Sequence, residues 1–576
     1  LHNHTLVLVE GMDSNAALIA ASVLVGAAVI FVVMRNKSKK SGKRVLVSQM
    51  SDMKNGEMKE VQISDKGHKV LLIRNHKGEF FATGTKCSHY GAPLVNGVLH
   101  ENRVTCPWHA ACFNVCTGEI EEAPAVDAIP HFDVEVCGES VYVLAPTEFP
   151  ASFRRTPAVT GAPCGNKECI VLVGGGPASL VAAQTLRTEG FQGRIVIISK
   201  EAERPYDRVK LSKSFGVDIK NIALKSAEWF VEHNIELVLN TAVEQVSLAN
   251  DNRYVLCSDK TRLPFDKLLI ATGGDCRVLR CEGHELQNIF TVRQISDNDG
   301  MAAAVKGARR AVVIGSSFIG MEVAAAFVGK KLDVTVVGME TVPFERVLGT
   351  EVGRFMQTLH ESKGVSFRMN AKLKRYVGEG GKVSGVELES GEVLACDLVV
   401  LGAGIIPATA FLEGVLPMER DGSIVVNECM EAAPNVYVVG DIARFRYWCT
   451  GDSIRVEHWN VAQQQARVAA CNMVGRTTAY TSVPFFWSSQ YGLSLRYAGN
   501  AMAPDQLVVK GSFDDRKFAV YYCQKGKVLA CATLGCDPVA VAVSELLRTS
   551  TMCSPADLEA NDLMYPCVLS RSKGAQ

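Results

Sequence analysis

No charge of one sign dominates this chain: 61 Lys and Arg balance 61 Asp and Glu, and the pI is near 7.2. That removes the broad basic footprint nucleic-acid binding needs, so no nucleic-acid partner is expected. Histidine is scarce, 12 in 576 residues. After residue 166 no His pair has the spacing for a two-His, one-carboxylate mononuclear iron site, which excludes a complete oxygenase centre. Nineteen cysteines, odd in number and scattered, make no disulfide scaffold. Cys257, Cys396 and Cys471 sit in apolar runs and read as buried, reduced small hydrophobes in a reducing compartment.

Long uncharged apolar runs are missing but for one, "AALIAASVLVGAAVIFVVM", Ala16 to Met34, 19 residues. As a helix rising about 1.5 Å per residue it has the length of a bilayer core. No Lys or Arg precedes it, whereas Arg35, Lys37, Lys39, Lys40, Lys43 and Arg44 follow. The expectation is a single-pass transmembrane helix with the bulk facing the cytosol, in the endoplasmic reticulum or mitochondrial outer membrane. A buried helix is the alternative.

Residues 1–44 then form an anchor and basic tether. Residues 45–145 carry short β-type runs ("KVLLIRN", "EFFATG", "SVYVLAP") that predict a small all-β domain. Residues 146–166, rich in Pro, Gly and small residues, read as a linker. Two strand–glycine turn–helix patterns follow, "CIVLVGGGPASLVAAQTLRTEG" and "RRAVVIGSSFIGMEVAAAFVGK". They predict two doubly wound α/β units with parallel sheets: 167–296 continued at 417–480, and 297–416. Residues 481–576 read as a separate α+β domain.

The first turn reads Gly174-x-Gly176-x-x-Ser179, continuing through Pro177 and Ala178 into a helix. The first glycine permits the tight turn, and the second lets the backbone approach a pyrophosphate at the positive helix end. A second strand, "RIVIIS", leads to Glu201, placed for a ribose hydroxyl. The second turn, Gly315-x-Ser317-x-x-Gly320, has Ser where the pyrophosphate comes closest. Its next strand ends at Glu340, which favours NADH and repels the 2′-phosphate of NADPH. Structural glycine turns without ligands are the bland alternative.

Two further stretches, "KCSHYGAPL" and "TCPWHAACF", set Cys87-x-His89 and Cys106-x-x-His109 in two loops. Taken alone they leave zinc, iron–sulfur and core packing open. A Cys₂His₂ zinc finger pairs Cys with Cys and His with His, whereas each loop here supplies one of each.

Several motifs together resemble the two-dinucleotide flavoprotein reductases: "FDKLLIATGG", "GAGIIPAT" and "NVYVVGDIARF". "RPYDRVKLSKSF", "RVEHWN" and "VPFFWSSQYG" narrow the resemblance to the ferredoxin-reductase and apoptosis-inducing-factor branch, in its form with an N-terminal Rieske domain. The resemblance implies FAD held by Gly174, Gly176, Pro177, Ala178, Glu201, Arg208, Lys213, Arg293, Asp441 and Trp487. It implies NADH (NAD⁺) near Gly315, Phe318, Gly320, Glu340, Gly404, Glu457 and His458, with Lys213, Trp487 and His458 nearest the chemistry. For Arg208, Lys213, Trp487 and His458 the plain alternatives are solvated charge, core packing or a satisfied polar group.

The resemblance further implies that Cys87 and Cys106 bind one iron of a [2Fe–2S] Rieske cluster and His89 and His109 the other. The cysteine that high-potential Rieske proteins disulfide-bond across these loops is replaced by Ala92, leaving Cys112 to pack, so a lower potential is expected. The disulfide-reductase cysteine pair is also missing, "VKLSKSF" standing in its place; Cys164 and Cys169 precede the first strand. The implied reaction runs from NADH through FAD to the cluster and on to an unidentified one-electron acceptor, because a flavin exchanges electrons singly or in pairs. An NADH-sensing interaction factor in cell death, with turnover incidental, is the second expectation, and a zinc-bearing scaffold a remote third. A homodimer is implied by the resemblance alone.

Overall fold

A computed structural model describes residues 42–157, 167–249 and 252–561. The region before the linker is all β, built from three antiparallel sheets. One pairs Lys43–Gln49, Ser140–Ala145 and Val134–Cys137; the second pairs Glu57–Gln62, Lys69–Arg74, Phe80–Thr83 and His131–Phe132. The third, Val98–His100, Arg103–Thr105, Cys112–Asn114 and Ile120–Glu122, is the platform from which the cysteine–histidine loops project. Lys69–Arg74 buries Val70 to Ile73 completely, so this strand is the spine between two small cores.

In the first α/β unit the strands Ile235–Val238, Arg194–Ile198, Cys169–Val173, Lys267–Ile270 and Val436–Val438 lie parallel in that order, and Glu431–Ala433 adds an antiparallel edge. Cys169 therefore opens the first strand rather than preceding it, while Cys164 lies outside the described residues. The helices Pro177–Thr188 and Trp459–Met473 pack on one another against this sheet, which closes the unit across nearly 300 residues of chain. The second unit has five parallel strands in the order Ile289–Phe290, Leu398–Leu401, Arg310–Ile314, Asp333–Val337, Ser366–Arg368. The near-continuous Val and Ile runs of these central strands suit burial on both faces. The last domain is a five-stranded antiparallel sheet, Phe485–Gln490 at one edge and Gln506–Ser512 at the other, backed by the helix Val539–Arg548.

The expected fold class needs one correction: a transmembrane helix is not part of the described fold. Among the described residues no helix is long and apolar enough to cross a membrane. Ala16 to Met34 lies outside those residues.

Candidate redox site

The two cysteine–histidine loops are copies of one turn. Cys87 N–H donates to the Ala92 carbonyl at 2.9 Å and Cys106 N–H to the Ala111 carbonyl at 2.8 Å. Four residues after each cysteine the backbone turns left-handed, at Gly91 (φ 78°) and Ala110 (φ 63°). This curl aims backbone N–H groups at each sulfur: His89 and Tyr90 at Cys87, Trp108 and His109 at Cys106. Both sulfurs are buried and lie in hydrogen-bond contact with one another. The hydrogen bond to Cys106 and burial hold the Cys87 thiol up, while the one from Cys87 and the loop N–H groups hold Cys106 down. Opposite them the Nδ1 atoms of His89 and His109 stand 3.1 Å apart. Burial keeps both rings neutral, with His89 pushed down to about 3.

Among the described residues no group of three or more His, Cys, Asp or Glu side chains converges on one ion. Instead two sulfurs pair and two imidazoles pair. A single zinc would need all four at one point, whereas a two-iron cluster needs two donors per iron. The donor set therefore fits a [2Fe–2S] group. Ala92 and Cys112 are both buried, and Cys112 is free, accepting a hydrogen bond from Thr105 Oγ1 at 3.4 Å. Cys112 packs, as expected.

These loops are seated on the rest of the molecule. The Trp487 ring lies 4.1 Å, centroid to centroid, from that of His109 and 5.7 Å from that of His89. Arg496 Nε donates to the Trp108 carbonyl at 2.8 Å, and Asn460 Nδ2 to the His109 carbonyl at 3.0 Å. Lys225 Nζ reaches the Val126 carbonyl at 3.0 Å and Asp127 at 2.5 Å, and the Tyr90 hydroxyl donates to Asp207. Ala110 fills an apolar seat formed by Phe485, Ala498, Ala540 and Val541.

The first dinucleotide turn is built on tight backbone contacts. Gly174 has φ 120°, and a Cβ there would stand 2.3 Å from the Ala271 carbonyl oxygen, so no other residue fits. A Cβ on Gly176 would meet nothing within 4 Å, which leaves open space over the positive end of the helix that Pro177 begins. Ser179 is fully buried, and its hydroxyl has no hydrogen-bond partner among the described residues. Ala178 is buried beside it. Glu201 accepts from the Tyr206 hydroxyl at 2.7 Å and from Arg208 at 3.0 Å, and Arg208 also donates to the Arg293 carbonyl at 2.7 Å. Arg293 in turn meets Asp441 at 3.2 Å. Arg208 is thus a largely buried, paired cation, not a solvated one.

Lys213 Nζ pairs with Glu322 at 2.7 Å, and Glu322 also accepts from Ser488 at 2.8 Å and Ser212 at 2.5 Å. His458 caps the helix Trp459–Met473, and its buried Nδ1 has no partner among the described residues; burial pushes its pKa down to about 4, with Asp441 opposing. The open space over Gly176, at the positive end of the helix that Pro177 begins, fits the pyrophosphate of a bound FAD.

In the second turn Gly315 has φ 113° and a Cβ would stand 2.2 Å from the Gly402 carbonyl; on Gly320 it would stand 2.1 Å from the Gly315 carbonyl. Ser317 caps the helix Phe318–Gly329 without a side-chain hydrogen bond. Glu340 accepts from Ser316 at 3.1 Å and pairs with the exposed Arg346 at 2.9 Å. Phe318 packs on Phe344 and Phe486, Gly404 turns at φ 86° over open space, and Glu457 pairs with Arg455 at 2.6 Å while burial pushes its pKa up.

Glu322, Arg346, Asn460, Arg496 and Tyr90 are the residues at these sites that motif reading misses. Only Glu322 carries a signal, as the lone charge in the apolar helix "FIGMEVAAAFVG".

Comparison with known proteins agrees with this layout. Residues 169–466 match the pyridine nucleotide-disulphide oxidoreductase family, 43–133 the Rieske [2Fe-2S] domain and 485–564 the reductase C-terminal domain. Apoptosis-inducing factor 3 of Homo sapiens is 37% identical over 521 residues, 89% of this chain and 85% of the relative. Rhodocoxin reductase of Rhodococcus erythropolis is 33% identical, covering 70% of this chain and 95% of its own. Among solved structures, the covalent putidaredoxin reductase–putidaredoxin complex matches 71% of this chain and all of its own at 28% identity, with a TM-score of 0.67. The chain belongs to the pyridine nucleotide-disulphide oxidoreductase family, as a Rieske-fused member of the apoptosis-inducing factor 3 group, and is an FAD-dependent NAD(P)H oxidoreductase with a Rieske [2Fe–2S] centre.

Proposed function

We propose that the chain carries electrons from NADH to its own Rieske centre and from there to a separate one-electron acceptor. Bound FAD supplies the conversion between paired and single electrons that this route needs. The observation that carries the reading is the 4.1 Å contact between Trp487 and His109, which joins the two halves through aromatic rings. Gly174 and Gly176 admit the pyrophosphate, and Glu201, Arg208, Arg293 and Asp441 line the rest of the flavin site. Lys213, held by Glu322, presents an ammonium group on the flavin side. Glu340 orients the adenosine ribose of NADH from the second unit, and His458 offers a neutral ring at the start of the helix Trp459–Met473. Cys87, Cys106, His89 and His109 hold the cluster.

The cell-death reading rests on the relatives' name alone, and no observation above favours it. An anaerobic NADH titration of the full chain, followed by absorbance and electron paramagnetic resonance, tests the route. A Rieske signal should follow flavin bleaching, and Cys106→Ser should remove the signal while flavin reduction persists. If the flavin bleaches and the cluster in the native chain stays oxidised, the route is wrong.

A further inference from the structure

The two histidines of the cysteine–histidine loops have different aromatic neighbours. His109 faces inward, its ring 4.1 Å from Trp487. His89 stacks on Tyr90 at 3.8 Å and an interplanar angle of 18°, and Tyr90 remains 37% exposed. The inward face packs against the docked reductase through Trp487. The outward face is open.

What frames that face is aromatic and cationic. Phe153, 36% exposed, lies over Gly91 in the same loop. Arg154 donates to the His89 carbonyl at 3.0 Å while its side chain reaches into solvent beside Phe153. Lys210 stands 5.5 Å from the Tyr90 ring centre, with its side chain 41% exposed. Asp207 is the acid in contact with this group, and its side chain is 9% exposed, turned to the Tyr90 hydroxyl from behind. The two cations therefore face water while the one anion does not.

We propose that Tyr90, Phe153, Arg154 and Lys210 form the docking surface for an acidic electron-carrier protein, which takes its electron on the His89 side. The proposal rests on the electron route argued above. The carrier gains one electron that the reduced Rieske centre loses, and no bond or proton changes hands. The aromatic pair supplies contact area over His89. The cations steer a negatively charged partner and raise its rate of encounter in a salt-dependent way. A partner with a basic face is repelled.

Two probe proteins separate the outcomes: acidic cytochrome b5 and basic cytochrome c. Calorimetric titration of the oxidised holoprotein should give binding to cytochrome b5 that weakens steeply with added salt, and none to cytochrome c. The double variant Arg154→Glu, Lys210→Glu should weaken cytochrome b5 binding by about tenfold or more, while Lys260→Glu, a surface cation elsewhere, leaves it unchanged. In stopped flow the NADH-reduced double variant should reduce cytochrome b5 more slowly by the same factor, with its paramagnetic signal intact. Salt-independent binding by the native chain, equal binding of cytochrome c, or an unaltered double variant would each overturn the docking surface. If NADH fails to reduce the cluster, the route beneath the proposal falls instead, and the calorimetry still decides the surface. Should the double variant lose its signal, the salt dependence of the native chain decides.

Discussion

The two dinucleotide units share one plan and differ in how they close over it. In the first, the carboxylate after the second strand, Glu201, is locked by Tyr206 and the largely buried Arg208, which is tied in turn to Arg293 and Asp441. In the second, the corresponding Glu340 is held by a serine and by Arg346, whose side chain is 72% exposed. The first turn leaves open space at Gly176; the second fills that place with Ser317. A site walled by largely buried ion pairs suits a cofactor that stays. A site with one wall in water suits a substrate that enters and leaves on every cycle.

The strongest way to break this comparison is Gly174→Ala. A methyl group 2.3 Å from the Ala271 carbonyl, at a φ that alanine avoids, should empty the first site: purified protein is expected with no flavin absorbance. Retained flavin would mean the turn is not what admits the pyrophosphate. Next comes the pair that joins the units. Glu322→Ala leaves Lys213 without its counter-ion in a largely buried setting, which should cost about 3 kcal/mol in urea unfolding.

A third effect follows pH. His360 is fully buried in the second unit, its Nε2 donating to Gln490 at 2.6 Å, and burial pushes its pKa from 6.5 to about 4. As pH falls the unfolded chain takes the proton first, so the stability this neutral ring provides is complete above 6.5 and is lost as pH falls toward 4. The loss should reach roughly 2–3 kcal/mol, and His360→Asn should flatten that part of the stability profile. The smallest effect sharpens the contrast at the open site. Glu340→Ala should lower the NADH-over-NADPH ratio of kcat/KM by about tenfold, and Arg346→Ala should raise it. Equal shifts in one direction would show that the pair acts as a structural brace.

Much of this was legible because it is written in short contiguous runs. A glycine turn between a strand and a helix, or Cys and His two or three residues apart, specifies its own local geometry. The sheets, both turns and the Cys–His pairs follow from such runs. What stayed hidden depends on pieces far apart in the chain. Asn460 meets the His109 carbonyl across 351 residues and Arg496 meets Trp108 across 388. Each is an ordinary polar residue until the β domain is docked. Trp487 shows both sides of this: its match to a flavin-side tryptophan was readable, its contact with a loop histidine was not. The apolar run at Ala16 to Met34 was read from hydropathy alone and falls outside the described residues.

Seating the β domain over Trp487 within one polypeptide also sets a kinetic rule. Two proteins that must meet to exchange electrons slow down as they are diluted, and they compete with every other partner in solution. On the proposed route the exchange between halves is intramolecular, so its effective concentration is fixed by covalent connection and is the same in a crowded or a dilute compartment. Each electron that leaves the molecule then requires one diffusive encounter instead of two.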